Sequence, residues 1–479
     1  MLFNSYIFLF AFLPVTFIGY FFLNKQKYVV IAKYWLVFTS LFFYSWWNIS
    51  YLPLIILSIV VNYILTKNMH KQNMKKKLLL LGLLFNIGLL GYFKYVDFFI
   101  SNMNFITNGK IDLLHLALPL AISFFTLQQI AFLIDSYGRL IKEKSFLDYT
   151  LFVVFFPQLI AGPIVHHKEM MPQFATIRNK LINYDNITRG VFAFSVGLFK
   201  KVIIADSFAQ WASAGFASAD KLNLIEGWIT SLSYTFQLYF DFSGYTDMAI
   251  GIALLFNIKL PQNFNSPYQS TSIIEFWNRW HMTLTRFLTT YIYEPIVKSF
   301  GKFSFNRAMF ATFVTMFIAG LWHGAAWTFV IFGILHGGAI VINHYWKKSK
   351  NKLPIYLAWF LTFNFLNLSF VIFRAENMQN AFDVFKAMFF GDLVLPEKYF
   401  NFLPSSICKF GFVFEHIDAK ENVLVFLILA FIVVLLMKNS TYLTENFKTT
   451  KQSLVFSVVV FLVSIFMMSR VTEFLYFNF

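Results

Sequence analysis

DFSGYTDMAIGIALLFNIKLPQNFNSPYQSTSIIEFWNRWHMTLTRFLTTYIYEPI occupies residues 241–296, and GLWHGAAW follows at Gly320–Trp327. Asp241, Asp247, Asn263, Asn265, Glu275, Arg279, His281, Arg286 and His323 fall here, in or beside segments apolar enough to enter a membrane. An ionisable group at membrane depth is costly and persists where it has a partner or a task. The rest of the chain decides whether these residues stand in a membrane. Of 479 residues, 58% are hydrophobic and 13% charged, against about 25% charged in an ordinary soluble domain. Mean hydropathy is +0.62. The long runs are apolar on both faces, without the period-two alternation of a membrane β-barrel. The fold class is therefore an all-α polytopic membrane protein.

Crossing the bilayer takes about 20 apolar residues. Before the opening stretch the candidates are Leu2–Leu23, Tyr28–Trp47, Tyr51–Thr66, Leu78–Phe93, Leu114–Ile134 and Gly190–Ala205. Leu224–Phe240 and Tyr245–Phe256, separated by DFSG, read as one broken helix or as two elements. After the stretch come Ala308–Trp322, Trp327–Tyr345, Leu353–Phe373, Asn422–Met437 and Ser453–Met468; the whole reads as about eleven spans, the remaining pieces being re-entrant or interfacial. Lys67–Lys77 holds five lysines and no acid, which assigns it to the cytoplasm. Parity then puts GRLIKEK (Gly138–Lys144) inside and both termini outside. Leu151–Ile164 is short, broken by Pro157, Gly162 and Pro163, and flanked by basic stretches on both sides. It is expected to enter and leave on the cytoplasmic face. SIIEFWNRWHMTLTRFL, residues 272–288, mixes aromatic and basic side chains and suits a helix at the interface. The net charge of +16 belongs to such loops, so no nucleic acid is expected. The first apolar run lacks a basic leader and reads as a retained span. One cysteine, Cys408, excludes a disulfide framework or a multi-cysteine metal site, and no metal is expected. No inverted repeat or long polar linker appears, so residues 1–479 read as one membrane domain.

His323 is the sharpest single residue. Gly320 and Gly324 beside it suggest room for a substrate, and Trp322 and Trp327 suggest flat walls. A neutral imidazole in a water-poor site is a competent base for a hydroxyl. His281 has Arg279 and Arg286 beside it and Lys259 nearby, a positive potential suited to a phosphate-bearing acyl donor. Trp277, Asn278, Arg279, Trp280 and Trp322 are candidate donor- or substrate-binding residues, with Asn263 and Asn265 as loop residues that position a ligand or close turns. Asp241 reads as a helix cap, and His336 as a packing or hydrogen-bonding residue. Spacing does not show whether His281 and His323 meet. No GxSxG elbow, Walker A loop or HExxH supports a serine hydrolase, NTPase or zincin.

SFFTLQQIAFLIDSYG (Ser123–Gly138), FFPQLIAGPI (Phe155–Ile164), YFDFSGYTDMAIGIALLFNIKLPQNFNSPYQS (Tyr239–Ser270), FWNRWHMTLTRFL (Phe276–Leu288), GLWHGAAWTFVIFGILHG (Gly320–Gly337) and VIFRAE (Val371–Glu376) together resemble the membrane-bound O-acyltransferases. They cover most of residues 120–376, with the closest likeness to the membrane subunits that O-acetylate alginate or peptidoglycan. The resemblance implies a ring of helices around a tunnel joining the two membrane faces. It implies His323 as the essential histidine and His281 as the second motif histidine. It further implies no bound cofactor, acetyl-CoA or an acyl carrier as co-substrate, and an exported polysaccharide or peptidoglycan as acceptor. A periplasmic acyltransferase partner and the bacterial inner membrane complete the expectation. The rival reading is a transporter that carries the acyl group across and hands it to that partner. On the acyltransferase reading His281 stands at the inner mouth of a passage and His323 towards its outer end.

Overall fold

The computed structural model describes residues 1–69, 74–141, 145–160, 162–349, 352–400, 404, 408–468 and 475, the side chain of Tyr399 excepted. Parts of the basic stretches assigned to the cytoplasm (70–73, 142–144, 350–351) and the expected outer C-terminus lie outside the described residues. Among the described residues, six helices are long and apolar enough to cross a membrane: Phe8–Lys25, Ile49–Asn68, Lys75–Thr107, Phe305–His323, Trp327–Lys348 and Ile355–Arg374. Val29–Ser45, Asn422–Leu436 and Lys451–Met467 are apolar but shorter. The protein is an all-α multi-pass membrane protein. Two compact units share the chain: Met1–Leu198, Tyr245–Asn263 and Ser440–Asn478 form one, and Phe199–Gly244 and Phe264–Asn439 the other.

The first unit is built with amides inside and alkyl chains outside. Asn62 and Asn86 are fully buried and bond each other reciprocally, at 2.6 and 3.2 Å. Gln129 extends the network by donating to Ser58 Oγ at 2.9 Å and accepting from the Tyr149 hydroxyl at 3.0 Å. Ile64, Leu84 and Ile87, on the same helices as the asparagine pair, are more than half exposed. Water would penalise that inversion, whereas lipid makes polar side chains the adhesive between helices. The Leu13–Lys25 and Val29–Ser45 helices close up where Gly19 meets Trp35, whose indole N–H donates to the Thr16 carbonyl at 3.1 Å.

One expectation changes in this unit. The span expected over Leu114–Ile134 is a helix only at Ile122–Tyr137. Pro119 and a left-handed Ala121 (φ 59°) delay its start, and the preceding loop is held by the Asp97 carboxylate, which accepts from the amides of Leu114 and His115. Gly190–Ala205, read as a span, is helical throughout, over the end of Tyr184–Phe199 and a π-helical turn at Lys200–Ala205. The break expected in Leu151–Ile164 is present. Phe146–Val154 ends at an extended Phe155, a short turn Phe156–Leu159 follows, and the segment is buried. Its orphan backbone groups find partners: the Gln158 amide donates to the Phe152 carbonyl, and the Phe156 N–H to Ser40 Oγ.

In the second unit the DFSG motif does not interrupt anything. Leu224–Leu255 is one continuous helix, and Asp241 sits in its middle rather than at a cap. Its actual cap is a reciprocal box: Asn223 Oδ1 accepts from the Glu226 amide and Glu226 Oε2 from the Asn223 amide, both at 3.0 Å. Mid-helix, Asp241 pairs with Lys201 at 2.6 Å, and Lys201 also pairs with Asp206 at 2.8 Å. Lys201 lies in a π-helical turn, Lys200–Ala205, which rotates its side chain off the helical register. An apolar segment tolerates this lysine because two carboxylates receive it.

Phe305–His323 and Trp327–Lys348 form the expected hairpin. Glycines bring the two backbones together: a Cβ on Gly320 would stand 2.5 Å from the Phe329 carbonyl oxygen and 2.7 Å from Gly333 Cα. Gly320 thus makes room for the partner helix, not for a substrate. Gly324 faces the Phe329 ring in the same way.

Candidate active site

His323 is the last residue of the Phe305–His323 helix, and an extended Gly324 (φ −168°) turns the chain away after it. This delivers the ring into the interior, 4% exposed. His281 arrives by a different route. The segment expected as one interfacial helix is two short ones, Ile273–Arg279 and Met282–Leu288, broken where His281 takes a left-handed conformation (φ 43°, ψ 50°). A non-glycine residue held there carries strain and marks a position the surroundings dictate. The break turns Trp277, Trp280 and His281 inward, all buried, rather than leaving them as an interfacial belt.

The two imidazoles converge on one indole. The His281 ring lies 6.3 Å from the Trp322 ring and meets Phe242 edge-on at 4.8 Å. The His323 ring lies 5.0 Å from Trp322, 5.2 Å from Phe373 and 6.2 Å from Phe332, in edge contacts. The histidines are therefore no farther apart than those two Trp322 spacings together. The sequence left open whether they meet; in the structure both rings flank Trp322. Burial lowers the pKa of His281, which lies in the connection between spanning helices, to about 3. Its ring is therefore neutral at ordinary pH.

His336 is a framework residue. Its Nδ1 accepts the Trp277 indole N–H at 3.1 Å, and its Nε2 lies 3.0 Å from Ser369 Oγ. Because Nδ1 accepts, Nε2 carries the proton and donates to Ser369, whose hydroxyl donates onward to the Leu366 carbonyl at 2.8 Å. The Trp277 N–H is committed to this chain. Trp280 stacks on Phe276 at 5.4 Å and on Tyr268 at 6.2 Å. Arg279 pairs with Glu275 at 2.9 Å and donates to the Asn265 carbonyl at 3.2 Å. The Asn265 side chain accepts from Asn439 at 2.9 Å. Arg286 is exposed, and Asn278, also exposed, lines a cavity of about 1040 Å³ with Glu275, Asn343 and Lys347. Trp327 is mostly exposed, whereas Trp322 is buried. Asn263 and Lys259 belong to the first unit, where Asn263 is buried and the Lys259 amide donates to Gln173.

The family model for MBOAT, the membrane-bound O-acyltransferase family, matches residues 6–374. The chain belongs to that family. It is 51% identical to a peptidoglycan O-acetyltransferase of Helicobacter pylori over 81% of this chain and 80% of that one. It is 38% identical to a protein of Pseudomonas aeruginosa named “Probable alginate O-acetylase AlgI”, over 83% of this chain and 76% of the other. A teichoic acid D-alanyltransferase of Bacillus subtilis is 28% identical over 54% and 69%. This O-acyltransferase therefore carries, in one of its units, two buried histidines enclosed by aromatic rings. Walls of this kind are able to keep water from a reactive group, and a buried imidazole is able to move a proton. The histidines were legible in the sequence. Phe242, Phe332 and Phe373 were not, because aromatic residues are everywhere in the chain.

Proposed function

We propose that this acyltransferase moves an acetyl group from a cytoplasmic thioester, coenzyme A or an acyl carrier, onto hydroxyls of an exported cell-envelope polysaccharide. Peptidoglycan is the favoured acceptor, supported by the relative at 51% identity, and an alginate-like polymer the second. The single observation that carries the site is the convergence of His281 and His323 on Trp322. His323 accepts the proton of the attacking hydroxyl as its oxygen bonds to the acyl carbon. The carbon–sulfur bond breaks, and the proton passes to the departing thiolate. His281 supports the donor side. Trp322 lies against both rings, and Asn278 and Arg279, with Trp277, Trp280 and Asn265, shape the approach. The whole chain acts as one membrane domain of about eleven spans in the bacterial inner membrane, the count being even because both termini face outward, and transfer is direct or is relayed through a periplasmic acyltransferase partner. No cofactor stays bound.

The test is mass spectrometry of envelope polymers from cells carrying the wild-type protein, no protein, or His323→Ala at matched membrane abundance. The proposal expects O-acetyl groups on the glycan with wild type and their loss in the other two. Full acetylation with His323→Ala would remove the catalytic assignment. Unchanged peptidoglycan beside an altered second polymer would reassign the acceptor.

A further inference from the structure

In the first unit, apart from both histidines of the acyltransferase site, a second group of chemistry-bearing side chains converges. Asp135 stands in the last turn of the Ile122–Tyr137 helix and is buried. Its Oδ2 lies 2.6 Å from Nε2 of His166 and 3.3 Å from Nδ1 of His167. Two consecutive imidazoles thus approach one carboxylate oxygen, and the three candidate donor atoms all lie within 4.8 Å of one another. The aim of His166 is set by its backbone. It caps the His167–Ala175 helix, its Nδ1 accepting from the Lys168 amide at 3.3 Å and its own N–H donating to Glu169. That capping leaves Nε2 as the atom presented to Asp135. His167 is 5% exposed, its ring edge-on to Phe132 at 5.6 Å, and its Nε2 is buried with no hydrogen-bond partner.

We propose that Asp135, His166 and His167 form a binding site for a divalent transition-metal ion, with zinc as the best match. Two imidazole nitrogens and one carboxylate oxygen suit zinc and its first-row neighbours rather than magnesium or calcium, which prefer all-oxygen shells. A tetrahedral ion with bonds of about 2.0–2.1 Å needs ligand atoms roughly 3.3 Å apart. The 3.3 Å separation between His167 and Asp135 already matches that value, and the 2.6 Å between His166 and Asp135 has to open, which small side-chain rotations can do. An ion there would sit between His166 Nε2 and the Asp135 carboxylate in place of their direct contact. His167 lines an open cavity of about 400 Å³, an entry route and a place for a fourth, water ligand. Lys168 lines the same cavity and opposes the cation, whereas Glu169 beside it adds negative charge. The ion would clip the end of Ile122–Tyr137 to the start of His167–Ala175, closing the broken segment between them.

The test uses the full-length protein in detergent, purified without a histidine tag, stripped with chelator and then exposed to Zn²⁺ or Co²⁺. The proposal expects about one ion per chain, as one set of three ligands and water can hold, retained through gel filtration. It expects the intense visible absorption of tetrahedral Co²⁺, and loss of both signals in Asp135→Asn and His167→Ala. If either variant fails to fold, the wild type answers: chelator must lower its thermal midpoint and Zn²⁺ restore it. Substoichiometric metal that is equal in wild type and folded variants, or a wild-type midpoint indifferent to chelator and zinc, means an adventitious ion only and overturns the site.

Discussion

Two glycine-to-alanine changes on the hairpin that carries His323 should have opposite signs. At Gly320 an added Cβ would sit 2.5 Å from the Phe329 oxygen and 2.7–2.8 Å from Gly333 Cα and N. All three are backbone atoms of the facing helix, so no side chain can swing away. The helices must separate by roughly 0.5–1 Å to restore ordinary contact, and overpacking of this kind costs about 1–3 kcal/mol. Alanine's helix propensity returns up to about 1 kcal/mol. At Gly338, on the partner helix, nothing lies within 4 Å of an added Cβ. There only the propensity gain of up to about 1 kcal/mol remains. Gly320→Ala should therefore be less stable than Gly338→Ala by about 1–3 kcal/mol, read as resistance to unfolding in mixed detergent micelles. Activity should follow, because Gly320 lies one turn before His323, and displacements near 1 Å can cost on the order of 100-fold. If Gly320→Ala matched Gly338→Ala in both stability and turnover, the backbone contact would be wrong.

Other perturbations separate framework from chemistry. Ser369→Ala removes the acceptor for the His336 proton, leaving a buried N–H unpaired at a cost of about 1–3 kcal/mol. Turnover per folded molecule should survive, and a specific activity lost at full stability would make His336 a participant instead. Lys201→Met strands Asp206 and Asp241 in the interior, a loss of about 3–5 kcal/mol that should show as absent folded protein in gel filtration. Adding Asp206→Asn and Asp241→Asn to that change should recover folding, whereas no recovery would separate the three residues. Asn62→Leu and Asn86→Leu, alone and together, should give a coupling of about 0.6–2 kcal/mol in a double-mutant cycle. Strict additivity would mean the amide pair contributes nothing.

The membrane class could be read from sequence because lipid imposes it one residue at a time. A run such as Leu52–Asn68 is apolar whatever it packs against. The details that failed depend on distant partners. DFSG looks like punctuation, yet Asp241 continues a helix because Lys201 arrives from another turn to neutralise it. The break at Trp280–His281 has neither proline nor glycine to announce it, since burial of two tryptophans rather than local propensity imposes the left-handed residue. Gly320 signalled close approach correctly, but sequence does not say what approaches. The individual histidines stood out as titratable groups in apolar surroundings. Their meeting at Trp322 is a product of the helix break and the hairpin end, and no periodicity encodes it.

The central claim is that the two histidines around Trp322 perform acyl transfer. The most direct measurement supplies purified protein in lipid vesicles with a labelled acetyl thioester and a soluble glycan acceptor, adding the periplasmic partner where one is required. Wild type should place label in an O-acetyl ester on the glycan. His323→Ala, eluting identically in gel filtration, should place none, and His281→Ala should lose most of the rate. Transfer by His323→Ala at the wild-type rate would contradict the account.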